Sequence, residues 1–312
     1  MDKSEKIYIA GPKGMVNSAI EKILKEQGFN QIISRTKEKL DLLDNKAVAD
    51  FFKSEKPDYV FLPSYKSGSI QANINYPAEF IYENLMVQNN VIHNAYLNQV
   101  KKLLFFAASC VYPKESPQPI KEEYLLTSEP ESTNLAYAIA KISGIIMCQA
   151  HNKQYKTNFI SVIPATIYGP NDAFDLEKSH VLPAMLRKFH EAKINNQKEV
   201  MFWGSGAPQR EFIYVDDLAE ACVFIINSNT GYDLINVGPG TDISTKDLAE
   251  KIKVITGFQG EIKWDITKPD GAKQRLLGAS RLRSLGWNYK VDLESGLVKT
   301  YEWFIENYAS LN

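Results

Sequence analysis

An α/β fold built on a doubly wound parallel sheet follows from three features of the sequence. Short runs rich in β-branched and aromatic residues alternate with longer segments of helical period, the pattern of consecutive βαβ units. Those runs are nearly all apolar, as strands covered by helices on both faces must be. The first of them ends in a glycine-bearing turn that opens a helix, the usual start of a nucleotide-binding sheet.

In chain order, Lys6–Ala10 reads as the first strand. Met15–Gln27 reads as the first helix, with Val16, Ala19, Ile20, Ile23 and Leu24 on one stripe and Gly28 placed to stop it. Further strands are expected at Gln31–Ser34, Tyr59–Leu62, Leu103–Ala108 and Phe159–Ile163, with helices over Lys46–Lys53, Ala78–Leu97 and Asn134–Tyr155 between them. After Pro164, glycine and proline interrupt the chain more often (PATIYGPND, WGSGAPQ, NVGPGTD, KPDGAK) and the elements shorten. Helices are expected there at Val181–Ala192, Asp216–Ile226, Thr245–Ile255 and Leu293–Glu306, and strands near Val200–Trp203, Leu234–Val237 and Ile262–Asp265. The expected organisation is a nucleotide-binding part over residues 1–165 and a smaller, loop-rich part over 166–312, of which about 200–236 returns to the first. Ligands of such chains sit in the cleft between the two.

Composition narrows the partners. With 36 Lys+Arg against 37 Asp+Glu the chain has no basic excess, so no nucleic-acid partner is expected. The apolar stretch Leu103–Pro113 is bounded by Lys102 and Lys114 and falls far short of the roughly 20 residues a bilayer requires, so no membrane partner is expected either. The N-terminus passes from charged residues straight into a short apolar run, without the core of an export signal. Cys110, Cys148 and Cys222 show no pairing pattern, and a reducing cytoplasm is the expected location. His93, His151 and His190 fall singly on helices, so no metal is expected.

The first turn reads Gly11-Pro12-Lys13-Gly14-Met15-Val16-Asn17. Gly11 permits the bend, and Gly14 lets the backbone approach a pyrophosphate held at the unpaired N–H groups of a helix N-terminus. Asn17 stands where a third glycine is usual, and the same letters would also serve a plain strand–helix turn. At the end of the second strand, where NAD-binding chains place an acidic residue, the sequence has Ser34-Arg35-Thr36-Lys37. Arg35, with Lys13, would pair a 2′-phosphate, which points to NADP. Asp44 could meet the adenine edge or cap the following helix. Tyr137 and Lys141 lie four apart, one turn on a single helix face, so the ammonium can favour the phenolate. Among sixteen tyrosines, Tyr137 alone has Lys at the fourth position after it.

The GxxGMV turn, the SCVYP segment and the Tyr-x3-Lys pair resemble the extended short-chain dehydrogenase/reductases, whose fold is the Rossmann sheet. RTKEKLDLLD, YPAEFIYENLMVQNNVIHNAY, AYAIAKISGI, SHVLPAMLRKFHEA, WGSGAPQREFIYVDDLA, INVGPGTD and KPDGAKQRLL extend the resemblance over nearly the whole chain to the GDP-L-fucose synthase family, which epimerises a GDP-4-keto-6-deoxy-mannose at C3 and C5 and then reduces C4 with NADPH. The resemblance implies a GDP-linked 4-keto sugar as substrate, NADPH as cofactor, a homodimer, Tyr137 as proton donor to the reduced carbonyl, and Cys110 and His180 as the pair that exchanges protons beside it. An inversion next to a carbonyl needs a proton acceptor and a proton donor, and both residue types titrate near neutrality. Read without the resemblance, Cys110 is a small buried hydrophobe and His180 a helix-start residue. Lys188, Trp203 and Arg210 match positions near the GDP. Their residue types suit a diphosphate and a stacked base, and also a surface cation, a core indole and an ion pair.

The chain departs from the family pattern on the sugar side. Ala108 stands where the family has a serine that hydrogen-bonds the substrate carbonyl. Ser109 and Tyr65 are the candidate replacements, although Ser109, next along the chain, should face away. Thr166 replaces a substrate-binding Asn and Gly278 an Asp. Two alternatives therefore stay open: a related GDP-heptose or GDP-deoxysugar C4 reductase or epimerase, and a noncatalytic sugar-nucleotide-binding homologue.

Overall fold

The computed structural model describes residues 1–176, 179–268 and 270–310. The chain runs β1 (Ile7–Ile9), α1 (Met15–Glu26), β2 (Ile32–Ser34), α2 (Asn45–Glu55), β3 (Tyr59–Leu62), α3 (Ile70–Asn75), α4 (Pro77–Leu97), β4 (Lys102–Phe106), α5 (Leu135–Tyr155) and β5 (Phe159–Pro164). It continues through β6 (Thr166–Tyr168), α6 (Val181–Ile194), β7 (Glu199–Trp203), β8 (Gln209–Tyr214), α7 (Val215–Asn227), β9 (Leu234–Val237), β10 (Asp242–Ser244), α8 (Thr245–Thr256), β11 (Glu261–Asp265), β12 (Gln274–Arg275), α9 (Ser280–Ser284) and α10 (Leu293–Asn307).

Six parallel strands in the order β2-β1-β3-β4-β5-β9 form the central sheet. It is the α/β, doubly wound arrangement the apolar runs require. The order reverses between β1 and β3, and the crevice at the carboxyl ends of the strands there is where such sheets bind ligands. Helix α1 packs beside α7, while α4 packs against both α2 and α5. Gly144 lets α5 lie close on the sheet, because a Cβ there would collide with the ring of Phe105 on β4. Gln88 Nε2 on α4 donates to Ala140 O at 2.7 Å and fixes the same helix from its other neighbour.

A second hydrophobic cluster, with Leu186, Phe189, Phe202, Phe212, Leu248 and Phe304, gathers the C-terminal helices and strands. Strand β8 is the seam: Phe212 and Tyr214 enter this cluster, whereas Ile213 between them enters the cluster of the central sheet, the two-residue alternation of a strand. It pairs antiparallel with β10 and parallel with β12 and β6. The helices stand within two residues of the ends expected from periodicity. The unexpected elements are α3, α9, β6, β8, β10 and β12, mostly short pieces whose partners lie far away in sequence. Among the described residues no helix is long and apolar enough to cross a membrane, and no three His, Cys, Asp or Glu side chains are grouped so as to hold a metal ion.

Candidate active site

The β1–α1 turn is built mainly of backbone. Gly11 takes φ +93°, a left-handed conformation that glycine adopts without strain. Asn17 explains the missing third glycine: its Nδ2 donates to Ala10 O at 3.0 Å and to Gly11 O at 3.4 Å and fastens the turn. A Cβ at Gly14 would meet nothing within 4 Å, so the approach to the helix start is open. The first turn of α1 holds no acidic residue and no side-chain cap, which leaves the N–H groups around Gly14, Met15 and Val16 for an anion. Lys13 is exposed beside them. These residues fit a dinucleotide pyrophosphate.

Arg35 follows β2 and is already oriented. Its Nη2 donates to Glu55 Oε1 at 2.7 Å and its Nη1 to Ser34 O at 3.0 Å, and the guanidinium carbon lies 5.9 Å from the Phe51 ring centroid. A guanidinium has five N–H groups, so the pairing leaves donors for a phosphate. Asp44 caps α2, its Oδ1 accepting from Lys46 N and Ala47 N at 2.8 and 3.1 Å; of the two roles open to it, the cap is the one the structure displays.

The second group is made of side chains, two of them buried, with the half-buried Cys110 and the exposed His180. Tyr137 and Lys141, one turn apart on α5, are both buried. The Tyr137 ring stands edge-on to Phe80 with centroids 5.9 Å apart. Lys141 Nζ lies 5.0 Å from the Phe105 centroid and 5.8 Å from that of Tyr137. Burial brings the Lys141 ammonium down to about 7. Burial, then the nearby Cys110, raises the Tyr137 phenol above its ordinary value, against a hydrogen bond from Ser64. Cys110 is pushed up to about 11 by burial, against the pull of Arg275 and Lys141. His180 immediately precedes α6 without capping it. Much of its surface reaches solvent, yet the atoms crowded around its ring still lower its pKa by desolvation. No hydrogen bond among the described residues ties His180 to the other three.

The hydroxyl beside Tyr137 was not anticipated. Ser64 Oγ, in the loop after β3, lies 3.3 Å from Tyr137 Oη. Of the two replacements expected for the missing serine, Tyr65 packs half-buried against the sheet's core. Ser109 starts a 3₁₀ turn, where its carbonyl accepts from Arg275 Nη1 at 3.5 Å. Neither holds a hydrogen bond to Tyr137; Ser64, next to Tyr65, does.

In the C-terminal part Arg210 and Arg275 are register partners on β8 and β12. Both are held below the usual guanidinium range, first by burial; the neighbouring Arg275 adds to this for Arg210. Their hydrogen bonds go to backbone carbonyls, from Arg210 Nη1 to Gln209 O and Ala272 O, both at 2.7 Å, and from Arg275 Nη1 to Ser109 O, Tyr112 O and Pro113 O. Sequence alone does not single out Arg275, because its register with Arg210 is tertiary. Trp203 is 68% exposed, a correction to the core-indole reading, and Lys268 Nζ sits 5.5 Å from its ring. Lys188 lies over Phe202, not Trp203, at 5.5 Å. Thr166 is half-buried on β6 opposite Phe212. Gly278 is explained by packing: a Cβ would stand 3.2 Å from Ile120 O, to which Gly278 N donates at 2.7 Å. Within KPDGAKQRLL, Pro269 lies outside the described residues.

A parallel sheet with an open glycine turn at its switch point and a buried Tyr–Lys pair beside it defines a dinucleotide-dependent enzyme of the short-chain dehydrogenase/reductase type. The chain belongs to the NAD dependent epimerase/dehydratase family, which matches residues 7–238. It is 53% identical to "Putative GDP-L-fucose synthase 2" of Arabidopsis thaliana, over 98% of this chain and 94% of that one. It is 46% identical to the GDP-L-fucose synthase of Escherichia coli (strain K12), over 97% of each. Among solved structures it resembles a GDP-mannoheptose C4 reductase from Campylobacter jejuni with NADP bound, with a TM-score of 0.88, 40% identity, and coverage of 98% of this chain and 99% of that one.

Proposed function

We propose that the protein is an NADPH-dependent epimerase/reductase that converts GDP-4-keto-6-deoxy-D-mannose to GDP-L-fucose, by inversion at C3 and C5 and then reduction at C4. The buried Tyr137–Lys141 pair with Cys110 beside it carries this reading, together with the near-full-length similarity to GDP-L-fucose synthases. Residues 1–165 hold the cofactor through Gly11, Lys13, Gly14, Met15, Val16 and Arg35. Residues 166–312, apart from the segment that returns to the sheet, hold the GDP-sugar through Lys188, Trp203 and Arg210.

NADPH, when bound, supplies the hydride that C4 receives. At pH 7 the thiol of Cys110, up at about 11, and the imidazole of His180, held low, rest neutral, one proton donor and one acceptor, the complement an inversion beside a carbonyl needs. Tyr137, raised by burial, rests as a phenol and hands its proton to the new alkoxide. Lys141, titrating near 7, supplies an ammonium one turn away that favours the phenolate left behind.

A GDP-heptose C4 reductase on the same scaffold is favoured by Ala108, which removes a group from the sugar side alone, and by the similarity to the Campylobacter jejuni enzyme. One assay separates the readings. Incubation with NADPH and GDP-4-keto-6-deoxy-mannose should consume absorbance at 340 nm and yield a product whose NMR couplings show inverted C3 and C5. Reduction without inversion favours the reductase alone, and no turnover removes the fucose-synthase assignment. The exposed apolar residues Leu97, Ile139, Ile146 and Tyr155 on α4 and α5 support a homodimer through these helices, to be checked by light scattering. A reducing cytoplasm, which keeps Cys110 a thiol, suits the chemistry.

A further inference from the structure

In the proposed reduction the substrate's carbonyl meets Tyr137, and in this chain the partner hydroxyl that the family pattern has at position 108, after β4, is absent. Strands β3 and β4 are parallel neighbours, with Leu62 opposite Phe105. Ala108 follows β4 by two residues, and Ser64 follows β3 by two. Ser64 Oγ reaches Tyr137 Oη at 3.3 Å, a separation at which one oxygen atom can accept from both hydroxyls at ordinary hydrogen-bond length. We propose that Ser64 is the second hydrogen-bond donor to the substrate's C4 carbonyl, supplying from the end of β3 the hydroxyl that Ala108 cannot supply from the end of β4.

The loop that carries Ser64 is held for this task. Asn84, buried on α4, donates from Nδ2 to Lys66 O at 2.9 Å and to Phe80 O at 2.8 Å. Lys66 Nζ pairs with Glu83 at 2.7 Å. Phe80, from the same helix, stands against the Tyr137 ring. One helix thus fixes both the loop and the phenol, and a donor held before the reaction costs no reorganisation as charge grows on the oxygen. Before substrate arrives the same hydroxyl can donate to Tyr137 Oη instead, which counters the rise that burial imposes on the phenol.

The inference rests on the reduction of a 4-keto sugar proposed above, and its test separates the two. Ser64→Ala should lower kcat by about 10²–10³-fold, the range for one such donor, with the NADPH dissociation constant within about twofold. Ser64→Thr, which keeps a hydroxyl, should retain most of the activity, and adding Ala108→Ser to Ser64→Ala should restore most of what was lost. If Ser64→Ala keeps its kcat, or loses NADPH affinity with kcat intact, Ser64 does not serve the carbonyl. Should the unaltered protein fail to reduce the sugar, the substrate reading falls, and Ser64 is judged on the ¹³Cζ resonance of Tyr137, assigned through Tyr137→Phe. At neutral pH that resonance should then shift in Ser64→Ala, which removes the hydrogen bond at Tyr137 Oη, and an unmoved resonance overturns the pairing.

Discussion

The cofactor turn and the carbonyl site stand in the same crevice and are built on opposite terms. At Gly11–Asn17 the chain satisfies itself: a glycine bends it, an asparagine amide ties it, and the helix start is left uncapped. At Tyr137 and Cys110 the chain withholds satisfaction. Both are raised by burial, and Lys141 is lowered by it. Backbone can recognise an anion without perturbing a proton, whereas proton transfer needs side chains held away from their ordinary protonation balance. Arg35 and Asp44 are each oriented by an ordinary partner, and Ser64 is the hydroxyl set beside the buried phenol.

The sharpest way to break this contrast is Tyr137→Phe. It should lower C4 reduction by about 10³-fold, within the range for a general acid, yet leave solvent deuterium entering C3 or C5 when followed by NMR, because exchange relies on Cys110 and His180. Equal loss of both would merge two functions held here to be separate. Next in size is the reactivity of Cys110. With its thiol raised from 9.0 to about 11, the thiolate at pH 7 should be about 10²-fold scarcer than for an ordinary cysteine, and the thiolate is the reactive form. Alkylation of Cys110, read by mass spectrometry, should accelerate about tenfold per pH unit and show no plateau below about 11. A plateau near 9 would mean that the site does not desolvate the thiol.

On the cofactor side, Arg35→Ala should weaken NADPH binding about 10–100-fold, as loss of a charged hydrogen-bonding group does, and leave NADH within about twofold by fluorescence titration. Equal losses would place the 2′-phosphate elsewhere. Smallest is Asp44→Ala, which removes the cap of α2 and should cost about 1 kcal/mol of stability, seen as a few degrees in Tm, with little change in NADPH affinity. A tenfold loss of affinity would instead put Asp44 at the adenine.

How much of this was legible in the sequence follows the same division. Strands β1, β3, β4 and β5 are apolar runs whose burial is written in their composition, and the Tyr137–Lys141 spacing fixes one helix face, so sheet and pair could be read locally. Periodicity passes over β10 and β12 because they are three and two residues long and only half-buried, and so the register that sets Arg210 beside Arg275 was invisible. The hydroxyl at Tyr137 was missed by one position. Ala108 announced that a group was absent, but the loop after β3 is not a regular strand, so spacing alone does not say that Ser64 and not Tyr65 holds the hydrogen bond to Tyr137.

Trp203 offers an optical handle on the same chemistry. Of the four tryptophans, Trp287 is buried and Trp264 and Trp303 are half-buried, while Trp203 stands 68% exposed with Lys268 over its ring. Its emission should therefore be red-shifted and dominate collisional quenching by acrylamide. If a purine stacks on that ring, it should extinguish the signal and shield it from the quencher together, and binding of the sugar nucleotide could then be timed in a stopped flow with no reduced cofactor present.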